Sequence, residues 1–300
     1  MPKIFQKTNF AIVLTALIAN LAQAQPAKDI LWYGNSFTNA TCCGGSVSVP
    51  NTFRLIAIAA GQTEPVNRNA SADGQSLLFH RNNNTNVITT GIVPGGQWEH
   101  VVLQDFSTAP THIGNLSQHL SSSLSLYQAV AAHSPNVVPV MYETWARGFG
   151  HSFYAGANPS FPGGPAQMQA ELRSGYQQST ANINAAVGSD IALLAPVGDV
   201  WESTGFASNM YAGDIYHAND RGTLLNALVL YATIYEDYTV SDINLTSVLT
   251  NFNPDLTPAM GQSIAASVDA YFASVNVPEP SSVVILLMAG CGLVGRRRYS

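Results

Sequence analysis

Two short polar motifs, far apart in the chain, contain the residue types that nucleophilic catalysis needs. Gly34-Asn35-Ser36-Phe37-Thr38 follows an apolar run, and Asp214-Ile215-Tyr216-His217 comes much later. A serine hydroxyl becomes a nucleophile when an imidazole takes its proton and a carboxylate orients that imidazole. The two motifs therefore predict a triad in which Ser36 attacks, His217 is the general base and Asp214 orients His217.

Each motif alone also has a plain structural interpretation. Gly-Asn is a common turn dipeptide, and an Asp three residues before a His suits a helix cap beside a surface histidine. The spacing of three nevertheless lets the side chains of Asp214 and His217 reach one pocket. Both motifs in one chain, in this order, favour the triad.

The segments that must position these residues alternate between short apolar runs and helical patterns. Residues 29–33 predict a strand directly before Ser36, and leucines at helical spacing predict a helix over residues 115–133. This β-α-β-α order is typical of a parallel sheet with helices on both faces. Ligands bind such sheets beyond the carboxyl ends of the strands, which is where Ser36 is expected.

Four segments together resemble the sequence blocks of the SGNH (GDSL-like) hydrolases, in the branch whose first block reads Gly-Asn-Ser. They are the Ser36 motif, Ala72-Asp73-Gly74-Gln75-Ser76-Leu77, Val101-Val102-Leu103-Gln104-Asp105 and the His217 motif. The resemblance spans about residues 29–235. It implies a flavodoxin-like three-layer α/β/α sandwich with a mostly parallel sheet, and ester hydrolysis that needs no metal or organic cofactor.

The resemblance also implies three donors to the oxyanion of a tetrahedral intermediate. These are the backbone N–H groups of Ser36 and Gly74 and the side-chain amide of Gln104. The family usually has Asn at the third position, and Gln104 offers the same amide on a longer arm. Two further residues are candidate substrate contacts: Asn35, and Trp145, which could stack on a sugar ring or be a packing aromatic.

The N-terminus predicts a sorting signal outside the folded domain. Residues 1–24 combine two lysines, an apolar stretch and Ala22-Gln23-Ala24, which is typical of a secretory signal peptide. A short N-terminal anchor is the alternative.

The C-terminus predicts a second signal. Residues 277–300 contain Pro-Glu-Pro, a short apolar run that would form a short transmembrane segment, and Arg296-Arg297-Arg298. They resemble the PEP-CTERM sorting signal of Gram-negative bacteria, which implies transient retention in the inner membrane and processing by an exosortase. An ordinary tail anchor is the alternative. Residues 25–276 are then expected to form one hydrolase-like domain.

The net charge of residues 25–276 argues against some classes of binding partner. Five of the 12 Lys and Arg residues and one of the 18 Asp and Glu residues lie in the two signals, which leaves a net charge of about −10. An acidic body does not suit nucleic acid or an anionic membrane surface. We expect a neutral small-molecule or glycan ester as substrate.

The cysteines are few. Cys291 lies in the C-terminal signal, and Cys42 and Cys43 are adjacent in a loop shortly after Ser36. Outside the cytoplasm this pair could form a vicinal disulfide or remain as free thiols. No second Cys or His pair at ligand spacing accompanies them, so we predict no metal site.

These observations together predict an exported serine esterase, located in the cell envelope or outside the cell. The expected substrates are carboxylic esters, in particular acetyl esters, with polysaccharide as one possible carrier. Gln104 in place of Asn leaves open a non-catalytic glycan-binding protein of the cell surface or matrix on the same fold. A lipase is the other alternative, and it would require an apolar pocket mouth.

Overall fold

A parallel β-sheet lies at the centre of the part of the chain that the computed structural model describes, residues 27–275. Both predicted sorting signals lie outside these described residues. The spatial order of the strands is β2-β1-β3-β4-β5, and every neighbouring pair is parallel. The strands are β1 Asp29–Tyr33, β2 Val66–Asn69, β3 His100–Leu103, β4 Val138–Tyr142 and β5 Leu193–Ala195.

Helices connect the strands and cover the sheet. The α-helices are α1 Ser36–Asn39, α2 Val49–Ala59, α3 Leu77–Asn83, α4 Val87–Thr90, α5 Leu116–Ala131, α6 Gly164–Val187, α7 Val197–Ser203, α8 Asp220–Tyr235, α9 Thr246–Leu249 and α10 Pro258–Val275. Short 3-10 helices span Ser152–Tyr154, Ser208–Met210 and Val240–Asp242. Within residues 27–275, none of the helices is long and apolar enough to cross a membrane.

The apolar core is divided by the sheet into two layers. Successive side chains of a strand point to opposite faces, so Ile30 and Trp32 pack with α2, α8 and α10. Leu31 and Tyr33 pack on the other face with α3, α5 and α6. Both faces of β1 are therefore buried, which is why its sequence is a continuous apolar run. The predicted three-layer α/β/α fold with a parallel sheet is confirmed.

The start of α2 is determined by a capping serine and a proline. The apolar pattern alone predicts that the second helix starts at Thr52, but α2 begins at Val49. Ser48 caps this helix by accepting a hydrogen bond from the Asn51 N–H, and Pro50 lies in its first turn, where a missing N–H costs nothing.

His100, the first residue of β3, gives the fold a dependence on pH. It is 7% exposed, and its Nδ1 has no hydrogen-bond partner among residues 27–275. Burial, with a smaller effect from Lys28, lowers the pKa of His100 to about 4. Between pH 6.5 and 4 the unfolded chain then binds a proton that the folded chain does not bind. The free energy of unfolding is therefore unaffected by this residue above pH 6.5, and it decreases as the pH falls towards 4.

We expect His100→Asn to reduce the loss of stability in acid. The wild-type residue accounts for a loss of about 3 kcal/mol in the free energy of unfolding between pH 7 and pH 4. Urea unfolding at both pH values measures this difference, with His133→Asn, at a partly exposed position, as the matched control. An equal loss in wild type and His100→Asn would contradict the assignment to His100.

Candidate active site

The turn after β1 presents Ser36 at the carboxyl edge of the sheet. Asn35 accepts a hydrogen bond from the Phe37 N–H through Oδ1 at 3.0 Å, which starts the short helix α1. Gly34 lies against its neighbours, since a Cβ there would be 2.2 Å from Thr38 Oγ1 and 2.6 Å from Gln104 Oε1. Only glycine fits this turn without moving those side chains.

The structure brings the three predicted triad residues into one chain of hydrogen bonds. His217 Nε2 lies 3.0 Å from Ser36 Oγ, and His217 Nδ1 lies 2.7 Å from Asp214 Oδ2. Ser36 is 7% exposed, and the Asp214 side chain is 44% exposed. The imidazole therefore lies between the hydroxyl and the carboxylate, as proton transfer from Ser36 to His217 requires.

Asp214 is held as an anion by its own loop. Its Oδ1 accepts hydrogen bonds from the N–H groups of Tyr216 and His217, each at 2.9 Å. Partial burial alone raises the pKa of Asp214, but the hydrogen bonds from the His217 ring and from the two N–H groups outweigh it. The pKa of Asp214 is thus below its ordinary value, and the carboxylate is ionised at neutral pH.

The loop that contains His217 is closed by backbone pairing at its two ends. Tyr211 and Ala218 form an antiparallel bridge, and Ala212 donates its N–H to the His217 carbonyl at 2.8 Å. Asn219 then caps α8 by accepting hydrogen bonds from the first N–H groups of that helix. His217 thus lies two residues before the cap of a long buried helix.

Trp145 lies in the core and not on a substrate-binding surface. It is 0% exposed, and its ring stacks between Phe37 at 4.2 Å and Trp201 at 4.8 Å. Its Nε1 donates to the Tyr216 carbonyl at 3.2 Å. The predicted stacking on a sugar ring is therefore corrected in favour of the packing alternative. Trp145 connects the residue after Ser36 to the residue before His217.

Gln104 has a different environment from the one predicted. Its Oε1 accepts hydrogen bonds from the Asn35 N–H and the Thr38 hydroxyl, both at 2.9 Å, and its Nε2 donates to the Asp105 carbonyl. The side chain is 0% exposed. Its amide stabilises the turn that contains Ser36 and presents no exposed donor to an oxyanion, which corrects the prediction for this residue.

The Asn35 side chain is likewise buried, and it makes hydrogen bonds to the backbone of the protein itself. It is 3% exposed, it caps α1, and its Nδ2 donates to the Gln75 carbonyl at 3.0 Å. These contacts leave no accessible amide for a substrate. The predicted substrate contact at Asn35 is thus replaced by a role in joining the Ser36 turn to the loop that contains Gly74.

The other two predicted oxyanion donors have free N–H groups. No acceptor within residues 27–275 takes the N–H of Ser36 or of Gly74. Gly74 is exposed and has a φ of +72°, which L-residues rarely adopt. Its loop is joined to the Ser36 turn by a hydrogen bond from the Ala72 N–H to the Gly34 carbonyl at 3.0 Å.

Two histidines near this edge of the sheet are buried and have polar partners. His80 contacts the Gly34 carbonyl through Nε2 at 2.7 Å, and burial lowers the pKa of His80, so the neutral ring supports the Ser36 turn. His119 Nδ1 lies 2.9 Å from Asp105 Oδ2, and both side chains are buried. The partners lie on other elements, so no local sequence pattern identifies these pairs.

The loop that contains Cys42 and Cys43 follows the Ser36 motif in the sequence and packs against the His217 loop. Cys42 and Cys43 are joined by a disulfide. The next residue, Gly44, packs so closely on the His217 loop that a Cβ there would be 2.6 Å from Ala212 Cβ. Within residues 27–275, no group of three His, Cys, Asp or Glu side chains could bind a metal ion.

Comparison with known proteins identifies the fold. No family model and no curated protein matches the chain. Among solved structures, a DUF4886 family protein from Bacteroides uniformis has a TM-score of 0.62 at 15% identity, over 86% of this chain and 99% of that one. A protein from Slackia heliotrinireducens, described as a candidate SGNH hydrolase, has a TM-score of 0.52 at 24% identity, over 69% and 99% of the two chains. TesA has a TM-score of 0.51 at 13% identity, over 70% of this chain and 99% of that one. The chain has the fold of the SGNH hydrolases.

The corrected role of Gln104 leads to a specific prediction. Gln104→Met keeps the length of the side chain but leaves the Asn35 N–H buried without an acceptor. We expect the free energy of unfolding to fall by about 1–3 kcal/mol, measured by urea unfolding. Unchanged stability together with lost ester hydrolysis would instead support the oxyanion role. Gln128→Met, on α5, is the matched control for the substitution itself.

Proposed function

We propose that this protein is a serine esterase that transfers an acyl group from an ester to water. One observation carries the proposal: the His217 imidazole lies between Ser36 Oγ at 3.0 Å and the Asp214 carboxylate at 2.7 Å. The fold shared with SGNH hydrolases adds support, although a fold alone does not determine an activity.

The proposed reaction has two proton-coupled halves. His217 Nε2 takes the proton of Ser36 as the hydroxyl attacks the ester carbonyl, and it returns this proton to the leaving alcohol. Water then attacks the acyl-serine with the same base, which releases the acid and restores Ser36. Asp214, ionised at neutral pH, fixes the ring orientation and stabilises the imidazolium in both halves.

The oxyanion of the tetrahedral intermediate is stabilised by backbone donors. The N–H groups of Ser36 and Gly74 have no acceptor within residues 27–275, so both are free to donate. Gln104 acts indirectly, because it orients the turn that contains the Ser36 N–H. A hole of two backbone donors is sufficient for acyl transfer in other serine hydrolases.

The finer proposal concerns the substrate and its location. The predicted signals at residues 1–24 and 277–300 favour an exported protein that is held transiently in the inner membrane and processed by an exosortase. The acidic central part favours neutral esters, and acetyl esters on an extracellular polysaccharide fit both features. This choice of glycan rests on association with the sorting signal and not on the geometry of the site.

We expect each triad residue to be necessary for hydrolysis of p-nitrophenyl acetate. Ser36→Ala and His217→Ala should each lower kcat by about a thousandfold or more, because neither the nucleophile nor its base can be replaced by water. Asp214→Asn should also lower kcat strongly, because an amide does not stabilise the imidazolium. Circular dichroism verifies the fold of each variant.

Matched substitutions outside the site serve as controls for these variants. Ser125→Ala on α5 and Asp255→Asn in an exposed loop should leave kcat unchanged.

A fluorophosphonate should label the wild type at Ser36 and leave Ser36→Ala unlabelled, as measured by peptide mass. Turnover that survives Ser36→Ala would disprove the triad. An inactive, unlabelled wild type would support the glycan-binding alternative.

Substrate preference separates the acetylesterase from the lipase. We expect release of acetate from an acetylated xylan, measured enzymatically, and little hydrolysis of p-nitrophenyl palmitate. Ser36→Ala controls for spontaneous deacetylation. Faster hydrolysis of the long-chain ester than of p-nitrophenyl acetate would overturn the proposed preference and support a lipase.

A further inference from the structure

Arg147 is a buried cation near the proposed triad. It is 4% exposed, and within residues 27–275 no carboxylate forms an ion pair with it. Nη2 donates to Ser107 Oγ at 2.7 Å, whereas Nε and Nη1 are buried with no hydrogen-bond partner in this part of the chain. Burying a charge without a partner is costly, so another interaction must compensate.

The guanidinium remains charged in spite of its burial. Desolvation lowers the pKa of Arg147 to about 10, while Tyr216, Tyr154 and Asp214 act in the opposite direction. The group is therefore protonated at neutral pH. A positive charge is thus buried beside aromatic rings, where it interacts electrostatically with Asp214.

Aromatic rings surround this charge. The Arg147 Cζ lies 3.4 Å from the centre of the Tyr216 ring, and 5.7 Å from the centres of both the Phe37 and Phe153 rings. A cation over an aromatic face is attracted by the negative charge on that face, and the attraction is larger when water is excluded. The rings provide the compensation that a carboxylate would otherwise provide.

Two of these rings are direct neighbours of triad residues. Phe37 follows Ser36, and Tyr216 precedes His217. The Tyr216 ring lies 4.0 Å from the His217 ring and 5.2 Å from the Phe37 ring. Arg147 thus lies where the residue after the nucleophile meets the residue before the base.

The backbone around Arg147 contacts the same loop. The Gly148 N–H donates to the Ile215 carbonyl at 2.9 Å, and Trp145 Nε1 donates to the Tyr216 carbonyl at 3.2 Å. Residues 145–148 therefore contact the His217 loop through backbone and side chain. The unpartnered nitrogens of Arg147 are buried, so an anionic ligand could not reach them, and a ligand-binding role does not fit.

We propose that Arg147 is a positioning residue, which stabilises the Tyr216 ring and thereby keeps His217 aligned with Ser36. The effect of Arg147 on kcat, but not its contact with Tyr216, rests on the proposed function. A rigid contact that sets the nucleophile-to-base distance affects the chemical step more than it affects substrate binding.

The test compares Arg147→Met, which removes the charge, with Arg147→Lys, which keeps it on a side chain of similar length. For p-nitrophenyl acetate we expect Arg147→Met to lower kcat by about tenfold to a hundredfold while KM changes by less than about twofold. Arg147→Lys should recover part of kcat, because an ammonium still binds an aromatic face but lacks the planar stack. Fluorophosphonate labelling of Ser36 should slow in parallel.

Arg173→Met is the matched control, since Arg173 forms ion pairs with Asp199 and Glu202 on α7. It should lose stability without the selective loss of kcat. An unchanged kcat in Arg147→Met, or an equal loss in Arg173→Met, would overturn the proposal. If Arg147→Met does not fold, Tyr216→Leu removes the ring instead and should give the same loss of kcat with unchanged KM.

A second measurement does not depend on activity. In the full chain labelled with nitrogen-15 at histidine, the His217 Nδ1–H resonance reports its hydrogen bond to Asp214. We expect Arg147→Met to shift or broaden this resonance and Arg173→Met to leave it in place. If the wild type neither turns over esters nor reacts with fluorophosphonate, the proposed function fails. The resonance still decides whether Arg147 positions His217, and an unmoved signal would exclude this.

Discussion

The hydrogen bond between Ser36 and His217 joins residues 181 positions apart, and the two segments that contain them are also connected through aromatic side chains. Phe37, Trp145 and Trp201 lie in one column with ring separations of 4.2 and 4.8 Å. Trp145 also donates a hydrogen bond to the Tyr216 carbonyl, so one buried side chain contacts both the Ser36 turn and the His217 loop. A well-packed interior resists small displacements of such rings. The parallel sheet positions two of these rings, because β1 leads to Phe37 and β4 leads to Trp145.

A polar network and a cation–π contact support the same edge of the sheet. Below the Ser36 turn, neutral His80 contacts the Gly34 carbonyl and Gln104 accepts from the Asn35 N–H. Beside the His217 loop, Arg147 stacks on Tyr216. The groups of the polar network are buried and hydrogen-bonded, and satisfied buried polar groups favour one arrangement over its alternatives. The three predicted triad residues thus lie on two short segments, and buried side chains contact both of them.

The sequence was sufficient for the fold because its signals are local. The short apolar run predicted β1 within its observed bounds, and the order of strands and helices predicted the parallel sheet. Ser36, Asp214 and His217 were recognisable because each lies in a short motif, although their catalytic role stays a prediction. The environments of Trp145 and Gln104 could not be predicted, since most of their partners lie on helices and loops distant in sequence. Whether an aromatic or an amide after a strand points outwards or into the core depends on packing that only the tertiary structure determines.

The short outer strands have a consequence for the protein at high concentration. β2 and β5 are the edges of the sheet and contain only four and three residues, and β2 has the polar sequence Val-Asn-Arg-Asn. Each edge offers few unpaired N–H and C=O groups to a strand from another molecule, and the Arg68 side chain adds charge there. Sheet-to-sheet addition, the first step of many aggregation reactions, is thereby disfavoured. At high concentration, the edges of this sheet therefore give a second copy of the chain little backbone to pair with.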